Sequence, residues 1–327
     1  MLSDRLTLAL ERGLAALPAS GTIAVVEPPA DADLSALPRD RVEVIARQFP
    51  AHRRFAAEGF AMRETPGGPY ALAFLSLPRA KDAARDLIAR TAAATDGPVL
   101  VDGQKTDGID SMLKDLRARA EVSEAISKAH GKIFALSGGT FDDWLETPAR
   151  VAGGFATRPG VFSADGPDPA SEALAAALPD LKGAVVDLGA GWGFLSRAIL
   201  TRKGVTRLDL VEADHAALDA ARENVTDPRA HFHWADARDW RPETPADHVV
   251  TNPPFHASRR ADPELGRDFI RAAAQMLKPH GTLWLVANRH LPYEKTLDEA
   301  FREVRALDPS GPFKLYAASR PRAPRKG

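Results

Sequence analysis

The sequence predicts an α/β fold: a doubly wound, mostly parallel sheet in the second half, preceded by a second α/β domain in the first. Short apolar runs of strand length alternate with segments whose apolar residues recur three and four apart, which marks strands and amphipathic helices in turn. Such alternation implies a parallel sheet covered on both faces. Residues 145–169, rich in Gly and Pro and without periodicity, separate the two series of elements and give domains 1–150 and 151–327.

Taken in order, MLSDRLTLALERGLAALPAS spreads Asp4, Arg5, Glu11 and Arg12 among apolar residues, which spoils a signal-peptide core and favours an opening amphipathic helix. TIAVV (22–26), YALAFLSL (70–77) and PVLVD (98–102) read as buried strands, AKDAARDLIARTAA (80–93) and GIDSMLKDLRARA (108–120) as helices. In the second half AVVDL (184–188), RLDLVEA (207–213), HFHWAD (231–236), DHVVTN (247–252), GTLWLVAN (281–288) and FKLYAAS (313–319) read as strands. The helices between them are FLSRAILTR (194–202), HAALDAARENV (215–225), PELGRDFIRAAAQMLK (263–278) and EKTLDEAFREV (294–304). The halves echo each other: a strand, a Pro-marked exit, a helix and a Gly-led strand occur in YALAFLSLPRA…GPVLVDGQ and again in DHVVTNPPFHA…GTLWLVANR. The first copy has neither a Gly-rich loop nor Asn-Pro-Pro, so a duplication that lost its working parts and a chance likeness of two α/β domains both stay open.

Composition narrows the function. With 44% hydrophobic and 27% charged residues the chain is of ordinary globular make-up, and no run approaches the ~18 apolar residues of a membrane span. Cysteine is absent, which excludes disulfides, zinc-thiolate clusters and cysteine nucleophiles. The expected location is the cytoplasm and the expected state a monomer. A pI near 6.8 lies below the ~9 of dedicated nucleic-acid-binding domains, so any nucleic-acid contact must be local. The basic tail 320–327, with Arg320, Arg322, Arg325 and Lys326, is one candidate patch; a solvated terminus explains it equally well.

The chemistry-bearing residues fall at successive strand ends. Asp187-Leu188-Gly189-Ala190-Gly191-Trp192-Gly193 opens directly into a helix; its glycines let backbone approach a ligand, and the helix start offers free N–H groups. The third glycine comes one residue too early for the dinucleotide pattern G-x-G-x-x-G, and the preceding acid suits an ammonium group. Glu212, ending the next strand, could accept from ribose hydroxyls, and Asp214 reads as a helix N-cap. Asp236 exits the third strand, where a carboxylate could accept from an adenine amine or close an Asx-turn. His231 and His233 share a face without a third ligand and read as structural. The fourth strand delivers Asn252-Pro253-Pro254-Phe255 to the same edge. Proline fixes its own φ and holds its predecessor extended, so the Asn252 side-chain oxygen and the Pro253 carbonyl become preorganised acceptors, with Phe255 a stacking face.

This set resembles the class I S-adenosylmethionine-dependent methyltransferases, in particular those that methylate amino groups on planar systems. RPGVFSADGPD (158–168), TNPPFHAS (251–258), LWLVANRHLPYEKTLDEAF (283–301) and GPFKLYAAS (311–319) are similar to one subfamily, the bacterial 16S ribosomal RNA guanine-N2 methyltransferases that act on nucleotide 1207; VDGQKTDGIDSMLKDL (101–116) and SKAHGKIFALSG (127–138) look like its N-terminal domain. The resemblance implies a Rossmann-like methyltransferase sheet with an antiparallel C-terminal strand, preceded by a degenerate methyltransferase-like domain that holds no cofactor. It implies S-adenosylmethionine bound by Asp187, Gly189, Gly191, Gly193, Glu212 and Asp236, with Phe162 closing on it. It also implies a target-amine site of Asn252, Pro253, Pro254 and Phe255, ribosomal RNA or the small subunit as partner, and no metal. The chain departs from relatives at Pro169 and Ala170, which leaves the local shape of 166–174 in question.

The residues leave three alternatives: the same acceptor geometry applied to adenine N6 or a protein glutamine amide, a nicotinamide-dependent oxidoreductase that would leave Asn252–Phe255 idle, and a non-catalytic rRNA-binding assembly factor. Arg259 and Arg260, just after the Asn-Pro-Pro-Phe segment, could meet phosphates or merely solvent.

Overall fold

The computed structural model describes residues 2–147, 149–254, 263–308 and 311–323. It comprises two compact units, Met1–Pro148 with Arg158–Gly160, and Ala149–Thr157 with Val161–Gly327.

In the first unit the helices are α1 (Leu2–Glu11), α2 (Phe49–Ala57), α3 (Lys81–Ala93) and α4 (Ile109–Arg117). Its strands are β1 (Ile23–Val26), β2 (Val42–Ile45), β3 (Ala61–Arg63), β4 (Leu72–Ser76), β5 (Val99–Gln104), β6 (Glu121–Val122), β7 (Ile126–Lys128) and β8 (Gly131–Ser137). The sheet order is β3-β2-β1-β4-β5-β8-β6, with β7 also on β8; β1 to β5 pair in parallel and β8 runs antiparallel to β5. Alternate residues serve opposite faces, as a pleat requires: Ile23, Val25 and Phe74 join Leu6 and Phe55 on one side, while Ala24, Val26 and Leu75 join Ile88 and Leu113 on the other. Strands β2, β3 and β6–β8 were not anticipated. Arg5, one of the charges that spoil a signal-peptide core in the sequence, is buried, its Nη2 donating to Asp102 Oδ2 at 2.9 Å.

The second unit opens with a hairpin, β9 (Ala149–Val151) and β10 (Phe155–Thr157), inside the stretch read as irregular. There follow α5 (Pro169–Ala177), β11 (Gly183–Leu188), α6 (Phe194–Leu200), β12 (Val205–Glu212), α7 (His215–Asn224), β13 (Ala230–Trp234) and β14 (Ala246–Thr251). The chain ends with α8 (Pro263–Met276), β15 (Leu277–Asn288), α9 (Glu294–Ala300), β16 (Phe301–Ala306) and β17 (Phe313–Pro321). The order β13-β12-β11-β14-β15-β17-β16 is parallel through β15, and β17 lies antiparallel to β15 and β16. The first five strands of both large sheets therefore follow one order, 3-2-1-4-5 when the strands are counted within each sheet. Core residues again alternate, with Val186, Val211 and Val249 on one face and Val185, Leu210 and Val250 on the other.

Two expectations fail here. The helix expected over 294–304 ends at Ala300, and Phe301–Ala306 pairs with β17 instead. Backbone pairing along the sheet edge, with Phe301 buried, outweighs the helical spacing of Leu297, Ala300, Phe301 and Val304. The supposed basic tail also begins within a strand: Arg320 pairs with Glu303 at 2.9 Å and Arg322 Nε donates to the Phe301 carbonyl at 2.8 Å. Arg325 and Lys326 lie outside the described residues, as do Arg259, Arg260 and Phe255. Among the described residues no helix is long and apolar enough to cross a membrane.

Candidate active site

In the seven-stranded sheet β11 lies between β12 and β14, so the chain leaves toward opposite sides at their carboxyl ends. Open α/β sheets bind ligands at such a switch point. The Thr251 hydroxyl, fully buried, donates to the Leu188 carbonyl at 2.6 Å and so ties the end of β14 to the end of β11.

Asp187 is wholly buried, one residue before the end of β11. Its Oδ2 accepts from the Ser196 hydroxyl at 2.6 Å, whereas among the described residues Oδ1 has no hydrogen-bond partner. Burial, with the Glu212 charge adding to it against the Ser196 bond, pushes its carboxyl up to about 7. A buried acceptor without a donor is costly, and an ammonium group would relieve it.

The loop after β11 turns through left-handed backbone. Gly191 has φ 55°, and a Cβ there would meet nothing within 4 Å, so the residue borders open space. Gly193 has φ 89°, and its Cβ would lie 2.9 Å from Val225 Cγ2, so the helix start packs too closely for a side chain. Gly189 also has a positive φ, and its N–H and that of Ala190 bond to the Val211 carbonyl. Glu212 accepts from the backbone N–H groups of Gly191, Ala213 and Asp214, each at 2.8 Å. Burial lifts it to about 7 against those bonds. Of about four carboxylate lone-pair positions, one on Oε2 stays available among the described residues, where the sequence reading has the carboxylate accept from both ribose hydroxyls. Asp214 caps α7, accepting from the Ala216 N–H at 3.0 Å.

Asp236 is buried and closes an Asx-turn on the Arg238 N–H at 2.9 Å, and it also holds the Arg238 guanidinium at 2.6 Å. An adenine amine at that carboxylate would share it with Arg238. His233 Nε2 meets Asp209 Oδ1 at 2.7 Å, and among the described residues no cluster suits a metal ion.

Sequence reasoning passed over Trp192. Its indole N–H donates to the Phe162 carbonyl at 3.0 Å, and Asn224 Nδ2 donates to the Trp192 carbonyl at 2.7 Å. Phe162 is thus fastened by its backbone to the glycine loop while its ring stays 60% exposed. The available signal was a tryptophan inside a glycine loop, since a buried indole needs an acceptor.

Asn252 follows β14, half-buried, with Pro253 buried and Pro254 exposed. Its Nδ2 donates to Asp168 Oδ2 and to Ser171 Oγ, both at 2.9 Å. The doubted segment 166–174 supplies these acceptors: Asp168 caps α5, accepting from the Ser171 N–H at 2.8 Å. Pro169 occupies a first-turn position that needs no N–H, so the departure from relatives suits the helix start.

The first unit presents different groups at its equivalent edge. After β1 comes Glu27, with φ 50°, its carboxylate accepting from the Arg47 N–H at 3.0 Å. The Arg47 guanidinium donates to the Pro159 and Gly160 carbonyls at 3.3 and 3.4 Å. β4 leads to Leu77-Pro78, with no asparagine.

Comparison with known proteins gives the family and the fold. Residues 152–317 match the model of the methyltransferase small domain family. The chain is 30% identical over 243 residues to a ribosomal RNA small subunit methyltransferase C of Pectobacterium atrosepticum, covering 70% of this chain and 68% of that protein. It is 28% identical to the Hahella chejuensis protein of the same name, over 92% and 95% of the two chains. A solved structure of the Thermus thermophilus 16S rRNA N2 methyltransferase for guanine 1207, in complex with AdoMet and guanosine, superimposes with a TM-score of 0.81 at 27% identity, over 98% and 91% of the chains.

Proposed function

The chain belongs to the methyltransferase small domain family, and from that premise we propose that it transfers a methyl group from S-adenosylmethionine to the exocyclic N2 amine of a guanine in small-subunit ribosomal RNA, at the position corresponding to nucleotide 1207. Membership removes the nicotinamide oxidoreductase from consideration. The observation that carries the reading is the buried Thr251–Leu188 hydrogen bond, which sets Asn252-Pro253-Pro254 beside the strand end that gives rise to the glycine loop.

The residues present fit the cofactor. Asp187 Oδ1 is a buried acceptor without a donor, and Glu212 keeps one position on Oε2 for a ribose hydroxyl. In this proposal Gly189, Gly191 and Gly193 shape the loop that faces the cofactor, Asp236 backs the adenine edge together with Arg238, and Phe162, exposed and tied by its carbonyl to Trp192, closes on the cofactor. When bound, S-adenosylmethionine supplies an electrophilic methyl group on a sulfonium.

The rest falls to this chain. A guanine N2 is a poor nucleophile because its lone pair is delocalised into the ring. Accepting its two N–H bonds at Asn252 Oδ1 and the Pro253 carbonyl favours a pyramidal nitrogen with the lone pair turned toward the methyl donor. Pro253 and Pro254 hold those acceptors still, so little freedom is lost on binding. Phe255 offers the base a stacking face. The nitrogen that has taken the methyl group is cationic and acidic enough to release a proton to water, leaving the neutral N2-methyl product, so no strong base is needed. The protein works as a cytoplasmic monomer in this reading.

The test is to incubate the protein with labelled S-adenosylmethionine and protein-free rRNA, small subunits or ribosomes, and to map the modified nucleotide. Label on guanine N2 in 16S rRNA is expected; label on adenine N6 or a protein glutamine would overturn the substrate assignment.

A further inference from the structure

A primary amide has two ends of nearly equal shape and opposite hydrogen-bonding sense. Turned by half a rotation, Asn252 would present N–H donors to the target and repel an amine. Its Nδ2 is held by Asp168 Oδ2 and Ser171 Oγ, both at 2.9 Å. The Asp168 carboxylate only accepts when ionised, so the flipped amide would set oxygen against oxygen. The pair is stiff. Asp168 Oδ2 also takes the Ser171 N–H at the start of α5, and α5 is anchored through Ala170, Leu174 and Leu178 in the same core as Val250 of β14.

We propose that Asp168 and Ser171 are positioning residues that fix the Asn252 amide with Oδ1 toward the substrate, so that the site accepts an amino group and refuses a carbonyl there. The inference rests on the reading of Asn252 as an acceptor for the target amine. Neither residue needs to touch cofactor or base.

Three variants separate this role from helix capping. Serine caps as well as aspartate but is too short to reach Asn252, so Asp168→Ser keeps α5 and loses the amide contact. Ser171→Ala keeps the capped N–H and loses only the hydroxyl. Asp168→Asn can restore an oxygen at the same place. For Asp168→Ser, a fall in kcat of about ten- to a hundredfold is expected, with the S-adenosylmethionine Kd, the rRNA KM and the unfolding midpoint close to wild type. Ser171→Ala should lose about three- to tenfold in kcat, and Asp168→Asn should recover most of the activity. Wild-type kcat in both Asp168→Ser and Ser171→Ala would overturn the proposal. So would a matching loss of cofactor affinity, or an Asp168→Asn variant as slow as Asp168→Ser. Asn252→Ala is measured alongside: if it stays active, the reading of Asn252 itself fails; if it is inactive while Asp168→Ser and Ser171→Ala are not, only the orienting role fails.

Discussion

Replacing Asp187 by Asn should make the protein more stable as pH rises, relative to wild type, while weakening its hold on cofactor. The folded protein keeps this carboxyl near 7, against an ordinary 3.8, because it is fully buried. A raised acid contributes stability that is complete below the unfolded value and is lost as pH climbs through the folded one. Each pH unit in that window removes about 1.4 kcal/mol, so wild type gives up ~2 kcal/mol between pH 5.5 and 7 that the neutral variant keeps. The amide also places an N–H where Oδ1 has no partner, a penalty of about 1–3 kcal/mol. That penalty does not vary with pH, so it moves the baseline and not the slope. Urea unfolding at half-unit steps from pH 5.5 to 8 measures the difference, followed by tryptophan fluorescence; Trp192, Trp234, Trp240 and Trp284 all lie in the second unit. A stability difference that stays flat across this range, or shrinks, would refute the reasoning. Titration with S-adenosylmethionine at pH 8 should show a Kd raised about ten- to a hundredfold.

Asn252→Ala should leave the S-adenosylmethionine Kd within about twofold while lowering kcat by about a hundred- to a thousandfold; equal losses in calorimetry and in methyl transfer would remove its assigned role. Cofactor affinity of the wild type should rise from pH 6 to pH 8, because Asp187 and Glu212, both pushed up to about 7 by burial, accept donors best when ionised; a Kd independent of pH would contradict this. Phe162→Ala should raise the cofactor Kd about three- to tenfold without shifting the melting temperature, since the ring is 60% exposed; a lowered melting temperature would mark the ring as structural. Residues 151–327 alone should bind S-adenosylmethionine and residues 1–150 should not, as read by equilibrium dialysis.

The candidate site is legible where chemistry-bearing residues sit at strand ends. Asp187, Glu212, Asp236 and Asn252 each close an apolar run, and a parallel sheet must bring such ends to one edge. Asp236 shows the limit. As a loop Asp at a strand exit it allowed an Asx-turn, but nothing in the sequence said that the Arg238 guanidinium would fold back onto the carboxylate. Asp168 and Ser171 lay further out of reach, because they meet Asn252 across more than 80 residues through the packing of α5. In the fold, β11 to β15 were plain from their apolar runs. β2 and β3 were not, being short and interrupted by charge, and β16 was hidden inside a helical spacing that edge pairing with β17 overrides.

The Thr251–Leu188 hydrogen bond has a thermodynamic corollary. One hydroxyl joins the strand that leads into the glycine loop to the strand that leads into Asn252-Pro253-Pro254; with cofactor and target amine held there as proposed, a displacement of either end is passed to the other. Occupancy of the two halves of the crevice then becomes a reciprocal quantity: the factor by which bound RNA tightens the cofactor equals the factor by which bound cofactor tightens RNA. Losing the Thr251 hydroxyl would then change that mutual tightening by the same factor seen from either substrate.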